Sequence, residues 1–283
     1  MVDIKKFILT RKKLGLSQNE LCDGICTQST LSKFENNGRI PSLKILNSLC
    51  ARMNLNLSDI MNDALSNDID NKLAAADYAS DVFDFPKVAR LLSQIPKNEL
   101  IKQEDIFHYD YLRGLLALEL EHNQTDALYC FTLILESPKL KRGSIYHLLA
   151  LSGCGQVYEF QGELEKAQQY YDLITSEIRE DTILDAPKNL QILSILYHAG
   201  KFYSKEKDYQ KSNKLLNYGY QICATQHITY YLDRILFCLA ENGKALGINV
   251  KQIETYINDA AAFARLYNNR VLLQKINQFQ IAG

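Results

Sequence analysis

The 283-residue chain has no Trp, only 5 Pro and only 13 Gly. That shortage of turn-formers argues against a sandwich or barrel built on many tight turns, and favours long helices with short connections. No uncharged apolar run approaches the 18 residues of a membrane span, so no membrane partner is expected. Lys5 and Lys6 are followed by Arg11, Lys12 and Lys13 with no long apolar run between, which is not a signal-peptide pattern. The expected address is cytoplasmic. The seven cysteines are odd in number and contain no C-x-x-C pair. Cys22 and Cys26 can share one helix face, but none of the five histidines lies near them in sequence, so no metal is expected. The sequence also lacks G-x-x-x-x-G-K-[ST], G-x-G-x-x-G after a strand, H-E-x-x-H and G-x-S-x-G. Glu119, Glu121 and His122 face different sides of one helix and read as surface. Neither a cofactor nor an enzymatic activity is expected.

What is present is ordinary globular material, 47% hydrophobic and 23% charged, with an uneven charge distribution. Residues 1–64 carry nine Lys/Arg against six Asp/Glu, while the remainder holds 23 against 27. A basic head on a mildly acidic body suits a nucleic-acid contact confined to one end.

The head reads as five short helices. Ile4, Phe7, Ile8 and Leu14 recur at helical spacing, and Gly15 ends that helix after its basic last turn. Ser17-Gln18-Asn19-Glu20 is a capping box that opens the second helix, which runs to a turn at Asp23-Gly24. Thr27 caps a third helix from Gln28 to about Asn36, stopped by Asn37-Gly38. Pro41-Ser42 opens the fourth, and Ser58 caps a fifth near Asp59. Two helices across a short turn, the second with short polar residues outside, form a helix-turn-helix. A helix enters a major groove only when polar side chains face the bases and apolar ones anchor its back. Here Leu31 and Phe34 anchor, while Gln28, Ser29, Thr30, Ser32 and Lys33 face outward as candidate base contacts. Gln28 can pair with adenine and Lys33 can reach guanine or a phosphate. Arg11, Lys12, Lys13, Ser17, Gln18, Arg39 and Lys44 are the candidate phosphate contacts.

The runs L-G-L-S-Q-N-E-L (14–21), I-C-T-Q-S-T-L-S-K-F-E-N (25–36) and R-I-P-S-L (39–43) resemble the Xre/Cro-type helix-turn-helix.

Beyond Asp70 nearly everything is amphipathic helix, with breaks near Asn123, Gly162, Lys207-Asp208 and Gly247. A period of 39 to 46 residues made of helix pairs means a solenoid. From Gly155 to Ile174 the run G-Q-V-Y-E-F-Q-G-E-L-E-K-A-Q-Q-Y-Y-D-L-I resembles a tetratricopeptide repeat, and Gly200, Tyr203, Tyr209, Ser212 and Leu216 keep its register. Small residues let paired helices approach, and aromatics fill the space left between them. Looser copies span Leu115 to Ile134, with Ala127 and Phe131, and Ala240 to Ala260. A last helix near Arg270 to Phe279 would close the stack. Two further helices, Asp68–Phe83 and Pro86–Gln94, connect head and body or form a degenerate repeat. The expected fold is therefore all-α: a five-helix helix-turn-helix domain (1–64), a linker helix with degenerate repeat (65–99), and a right-handed tetratricopeptide-like α-solenoid (100–283).

The first helix of each pair lines the concave face of such a solenoid, where an extended peptide can lie. Projection from Gly155 and Gly200 puts Gln156, Glu159, Tyr197, Lys201 and Ser204 there, with Ser152 beside them. The next repeat adds Arg234, Phe237, Glu241 and Lys244. Solvated polar positions on an ordinary helix would show the same residue types.

Head plus solenoid resembles the RRNPP family of peptide-pheromone receptors of Gram-positive bacteria, in its PlcR-like or Rgg-like branch. The resemblance implies a cytoplasmic homodimer acting in quorum sensing. It implies a short signalling peptide in the concave face and double-stranded DNA, a palindromic operator, under the heads. Two other roles stay open: a repressor whose solenoid only dimerises or binds a protein partner, and a scaffold or phosphatase-regulating solenoid with a vestigial head.

Overall fold

The computed structural model describes residues 4–60, 63–178 and 186–279, without the side chains of 58–59, 63–67, 81 and 186–189. Every regular element among the described residues is helical. The chain divides into two compact units, Met1–Ala75 and Ala76–Gly283.

The first unit contains α1 (Ile4–Lys13), α2 (Gln18–Cys22), α3 (Gln28–Asn37), α4 (Leu43–Arg52) and α5 (Leu57–Ile60). Three of them begin on the expected caps. The Ser17 hydroxyl accepts from the Glu20 amide while Glu20 accepts from the Ser17 amide at 2.7 Å. Thr27 accepts from the Thr30 amide and Ser42 from the Ile45 amide. Each such cap contributes about 1 kcal/mol by satisfying an amide that the helix leaves unbonded. Gly38 closes α3 in the left-handed region at φ 68°. The cap expected at Ser58 falls on a side chain outside the described ones, and α5 already begins at Leu57. Phe7, Leu21, Leu31, Phe34, Leu46 and Leu49 form a fully buried core. Within it Phe7 meets Phe34 edge to face at 5.1 Å.

Helix α6 (Asp63–Asp81) starts sooner than its sequence pattern suggested and stops two residues short of Phe83. Phe83 takes a left-handed backbone, and Asp84 then caps α7 (Phe85–Ser93) by accepting from the Lys87 amide. Residues 65–99, expected to form one segment, are thus divided between the two units.

The second unit continues with α8 (Gln103–Glu119), α9 (Gln124–Leu135), α10 (Ile145–Gln161), α11 (Leu164–Glu177), α12 (Ala186–Lys205), α13 (Tyr209–Gln226), α14 (Leu232–Leu246), α15 (Val250–Leu266) and α16 (Arg270–Gln278). Consecutive helices pack as antiparallel-type pairs, α8 on α9, α10 on α11, α12 on α13 and α14 on α15. The turns within these pairs fall at the expected breaks, with Asn123 and Asp208 as side-chain caps and Gly162 and Gly247 in the left-handed region. Glycines let the helices approach. A Cβ on Gly155 would lie 2.9 Å from the Tyr171 ring, and one on Gly200 2.8 Å from Leu216. Phe131 fills two such slots, since a Cβ on Gly114 or Gly153 would meet its ring at 2.5 or 2.6 Å. A buried polar chain then ties three helices. The Ser212 hydroxyl donates to the Gly200 carbonyl, Asn242 donates to Ser212, and Ser204 donates to Asn242. No described helix is long and apolar enough to cross a membrane.

Candidate nucleic-acid interface and inner-face site

Helix α3 is held from behind and open in front. Leu31 and Phe34 have no exposure, whereas Gln28, Ser29 and Lys33 are exposed and Thr30 and Ser32 half-buried. The Thr30 hydroxyl lies 2.8 Å from that of Thr27, and Ser32 accepts from the Asn36 amide group, so both are partly engaged. Among the expected phosphate contacts, Lys12, Lys13, Ser17, Arg39 and Lys44 are exposed and Gln18 is half-buried.

Arg11 is different. It is 9% exposed, and its Nε and Nη2 donate to the two Glu35 oxygens at 2.7 and 2.8 Å while Nη1 donates to the Leu16 carbonyl. Every arm of the guanidinium is committed inside the unit, so the phosphate contact expected of Arg11 is corrected to a structural ion pair. The reason was visible in the periodicity: Arg11 is one turn after Phe7, on the core-facing stripe. Burial alone would raise the Glu35 carboxyl. The hydrogen bonds from Arg11 and Gln18 and the charges of Arg11 and Lys12 outweigh it and hold Glu35 below its usual value.

The pair extends outward. Gln18 Nε2 donates to Glu35 at 2.7 Å, and Gln18 Oε1 accepts from Gln28 Nε2 at 2.7 Å. A buried ion pair therefore fixes the amide of Gln18, and Gln18 fixes that of Gln28. Gln28 is exposed, and this bond uses only one of its amide hydrogens, leaving Oε1 and the other hydrogen for the donor–acceptor couple that an adenine edge requires. Arg52 was not foreseen. Its guanidinium donates to the carbonyls of Leu21 and Asp23, capping α2 and setting the turn before α3.

On the second unit the expected inner-face residues lie on α10, α12 and α14. Gln156, Glu159, Tyr197, Lys201, Ser204 and Arg234 are half-buried, and Glu241 is exposed. Lys205 pairs with Glu159 at 2.5 Å, Lys201 lies 5.7 Å from the Tyr197 ring centre, and Tyr197 is 5.3 Å from Tyr231. Ser204 spends its proton on Asn242, which leaves it an acceptor. Two expectations need correction. Phe237 is only 6% exposed because the Phe279 ring covers it at 5.7 Å, and Ser152 is 2% exposed. Lys244 in turn lies 5.0 Å over Phe279.

A cavity of about 60 Å³ opens among α6, α7, α8, α10, α12 and α14, with Phe85, Tyr111, Leu115 and Leu149 in its apolar wall and Gln156 and His198 among its polar groups. His198 was not singled out from sequence, and Glu119, exposed as its surface reading expects, also borders this cavity. Burial pushes the His198 imidazole down to about 3, helped by the charges of Lys201, Arg234 and Lys205. The folded state thus refuses a proton that the unfolded chain accepts below about 6.5, so His198 lowers stability as the pH falls through that window. At pH 5 the loss is about 2 kcal/mol. Urea titrations at pH 7.5 and 5 should show this acid-sensitive part in the native chain and not in His198→Gln. Equal losses in both would contradict a neutral buried imidazole.

All seven cysteines are free thiols, and burial together with Cys22 raises the Cys26 thiol. Among the described residues no group of His, Cys, Asp or Glu is arranged to hold a metal.

Fold and site together define a helix-turn-helix protein with a helical-repeat body. Residues 9–60 match the helix-turn-helix family. Over its whole length the chain has the fold of PlcR from Bacillus thuringiensis, whose crystal structure contains the peptide PapR7 and DNA. The TM-score is 0.67 at 14% identity, covering 98% of this chain and 99% of that one. The competence regulator ComR from Streptococcus vestibularis, in its apo form, is similar at TM-score 0.55 and 15% identity, with 96% and 94% covered. ComR from S. thermophilus, in complex with DNA and its signalling peptide ComS, gives 0.51 at 14% identity, with 96% of each chain covered. No curated protein sequence matches the chain.

Proposed function

We propose that the chain is a sequence-specific transcriptional regulator whose DNA binding is controlled by a short signalling peptide held on the inner face of its second unit. The observation that carries the DNA half is the Glu35–Gln18–Gln28 chain, which presents an oriented amide from a rigidly backed helix. Ser29 and Lys33 flank that amide, and Lys12, Lys13, Arg39 and Lys44 supply exposed charge and hydrogen-bond donors for phosphates. Gln156, Glu159, Tyr197, Lys201, Arg234 and Glu241 supply the peptide half, a mixed surface able to pair a backbone and hold charged groups. PlcR and the ComR complex with ComS share this fold and bind both kinds of ligand, which supports the same pairing of roles here. A homodimer would place two heads on successive major-groove segments about 34 Å apart or a multiple of that, hence on a palindromic operator. A peptide that binds one arrangement of the heads better than another suffices for control.

Selection of bound duplexes from a random DNA pool by the full-length protein tests the DNA half. An inverted repeat should emerge. Gln28→Ala should lose about 1–3 kcal/mol on the selected duplex and little on random DNA. Failure to enrich any duplex would leave a scaffold with a vestigial head. Equal loss on both DNAs would remove Gln28 from base reading.

A further inference from the structure

The inner-face cavity is bordered by two aromatic rings that share one guanidinium. Phe83, in the turn between α6 and α7, and Tyr231, at the start of α14, both have left-handed backbones, φ 58° and 57°. At Phe83 this conformation is the helix-ending cap that Gly162, Lys207 and Gly247 also form. Both rings line the cavity, and both face one guanidinium: Arg234 Cζ lies 4.6 Å from each ring centre. The two sides differ in freedom. Tyr231 is 8% exposed, accepts from Ser194 and touches the rings of Tyr197, His198 and Tyr230, whereas Phe83 is 56% exposed on a turn.

The cavity also limits what can enter. Its volume of about 60 Å³ is under half of the roughly 150 Å³ that admits a benzene ring, so a small aliphatic group suits it better than an indole. A charged group entering it would lose its water, the same burial that keeps the His198 imidazole from taking a proton, although Asp77 and Glu119 line the wall and Arg234, Lys201 and Lys205 lie near His198. An uncharged apolar group meets Phe85, Leu115 and Leu149 instead.

We infer that this cavity is the anchor site for one branched aliphatic side chain of the peptide, and that Phe83, held by Arg234, is the clasp that closes over it. The inference rests on the peptide-binding function proposed above.

Two experiments on the full chain test it. In the first, synthetic heptapeptide pools with one position fixed as Leu, Trp, Lys or Asp and the rest randomised are captured and quantified by mass spectrometry. The native protein should retain the Leu pool at least tenfold over the others. Phe83→Ala, which removes only an exposed ring, should retain the Leu and Trp pools alike. An unchanged Leu-to-Trp ratio, or native preference for Lys or Asp, would overturn the clasp and leave peptide binding standing. Retention of no pool would overturn both. The second experiment needs no ligand. Because the chain has no Trp, Phe83→Trp creates a single reporter. Its indole should be shielded from acrylamide only on the face that Arg234 covers, and adding Arg234→Ala should raise the quenching constant about 1.5-fold. Equal quenching in the two proteins would overturn the contact on which the clasp depends.

Discussion

Glu35→Ala is expected to destabilise the DNA-binding unit by about 3–5 kcal/mol, because it leaves the Arg11 guanidinium buried without its counter-charge. Desolvation is the dominant cost. The side chains of Arg11 and Glu35 are 10% and 3% exposed, so water cannot replace the lost carboxylate. Removing both members, as in Arg11→Met with Glu35→Leu, should recover most of that loss, since a well-packed apolar pair of similar volume is often no less stable than a buried ion pair. Urea unfolding of the three proteins, followed by circular dichroism, separates these outcomes. The double variant should nevertheless bind its selected duplex more weakly, because Gln18 loses the acceptor that orients it toward Gln28. A single Glu35→Ala loss below about 1 kcal/mol would show that the pair is solvated. Acid should act in the same direction. With its folded pKa held below the usual value, Glu35 contributes stability above the ordinary carboxylate range, and that contribution is lost as the pH falls through the lowered value.

Phe131→Ala is expected to cost the second unit about 3–5 kcal/mol. The ring has no exposure and fills the space that Gly114 on α8 and Gly153 on α10 leave open. Neither glycine has a side chain with which to refill that space, so collapse around the truncated residue is limited. Thermal unfolding would report the loss, and a shift equivalent to less than about 1.5 kcal/mol would mean that the helices close the gap. Gly153→Leu approaches the same contact from the other side, because its first added atom already overlaps the ring.

Local chemistry made much of this fold legible. Ser17, Thr27 and Ser42 have the hydroxyls that helix starts need, and Gly38, Gly162 and Gly247 stop helices where only a left-handed residue fits easily. Gly155 with Tyr171 and Gly200 with Leu216 could be read as close-approach pairs because small and large residues recur at a fixed spacing. Arg11 differs from its basic neighbours Lys12 and Lys13 because its one-turn spacing from Phe7 marks the core side, a distinction that a run of three basic residues hides. Phe237 shows a different limit. Its own helix gives it an inner-face position, but the residue covering it, Phe279, follows in a later element. The clasp gave no sequence signal at all, since Phe83 and Tyr231 are not residue types that announce a left-handed backbone. His198 likewise follows directly after Tyr197, and only tertiary packing turns it toward the cavity.

The central claim is that a peptide on the second unit alters DNA binding by the first. It is tested most directly by fluorescence anisotropy of the full-length protein on its selected duplex, with and without the retained heptapeptide at saturation. Coupling of the usual allosteric size predicts a change in affinity of roughly 5- to 150-fold, in either direction. Identical affinities with the inner face fully occupied would contradict it.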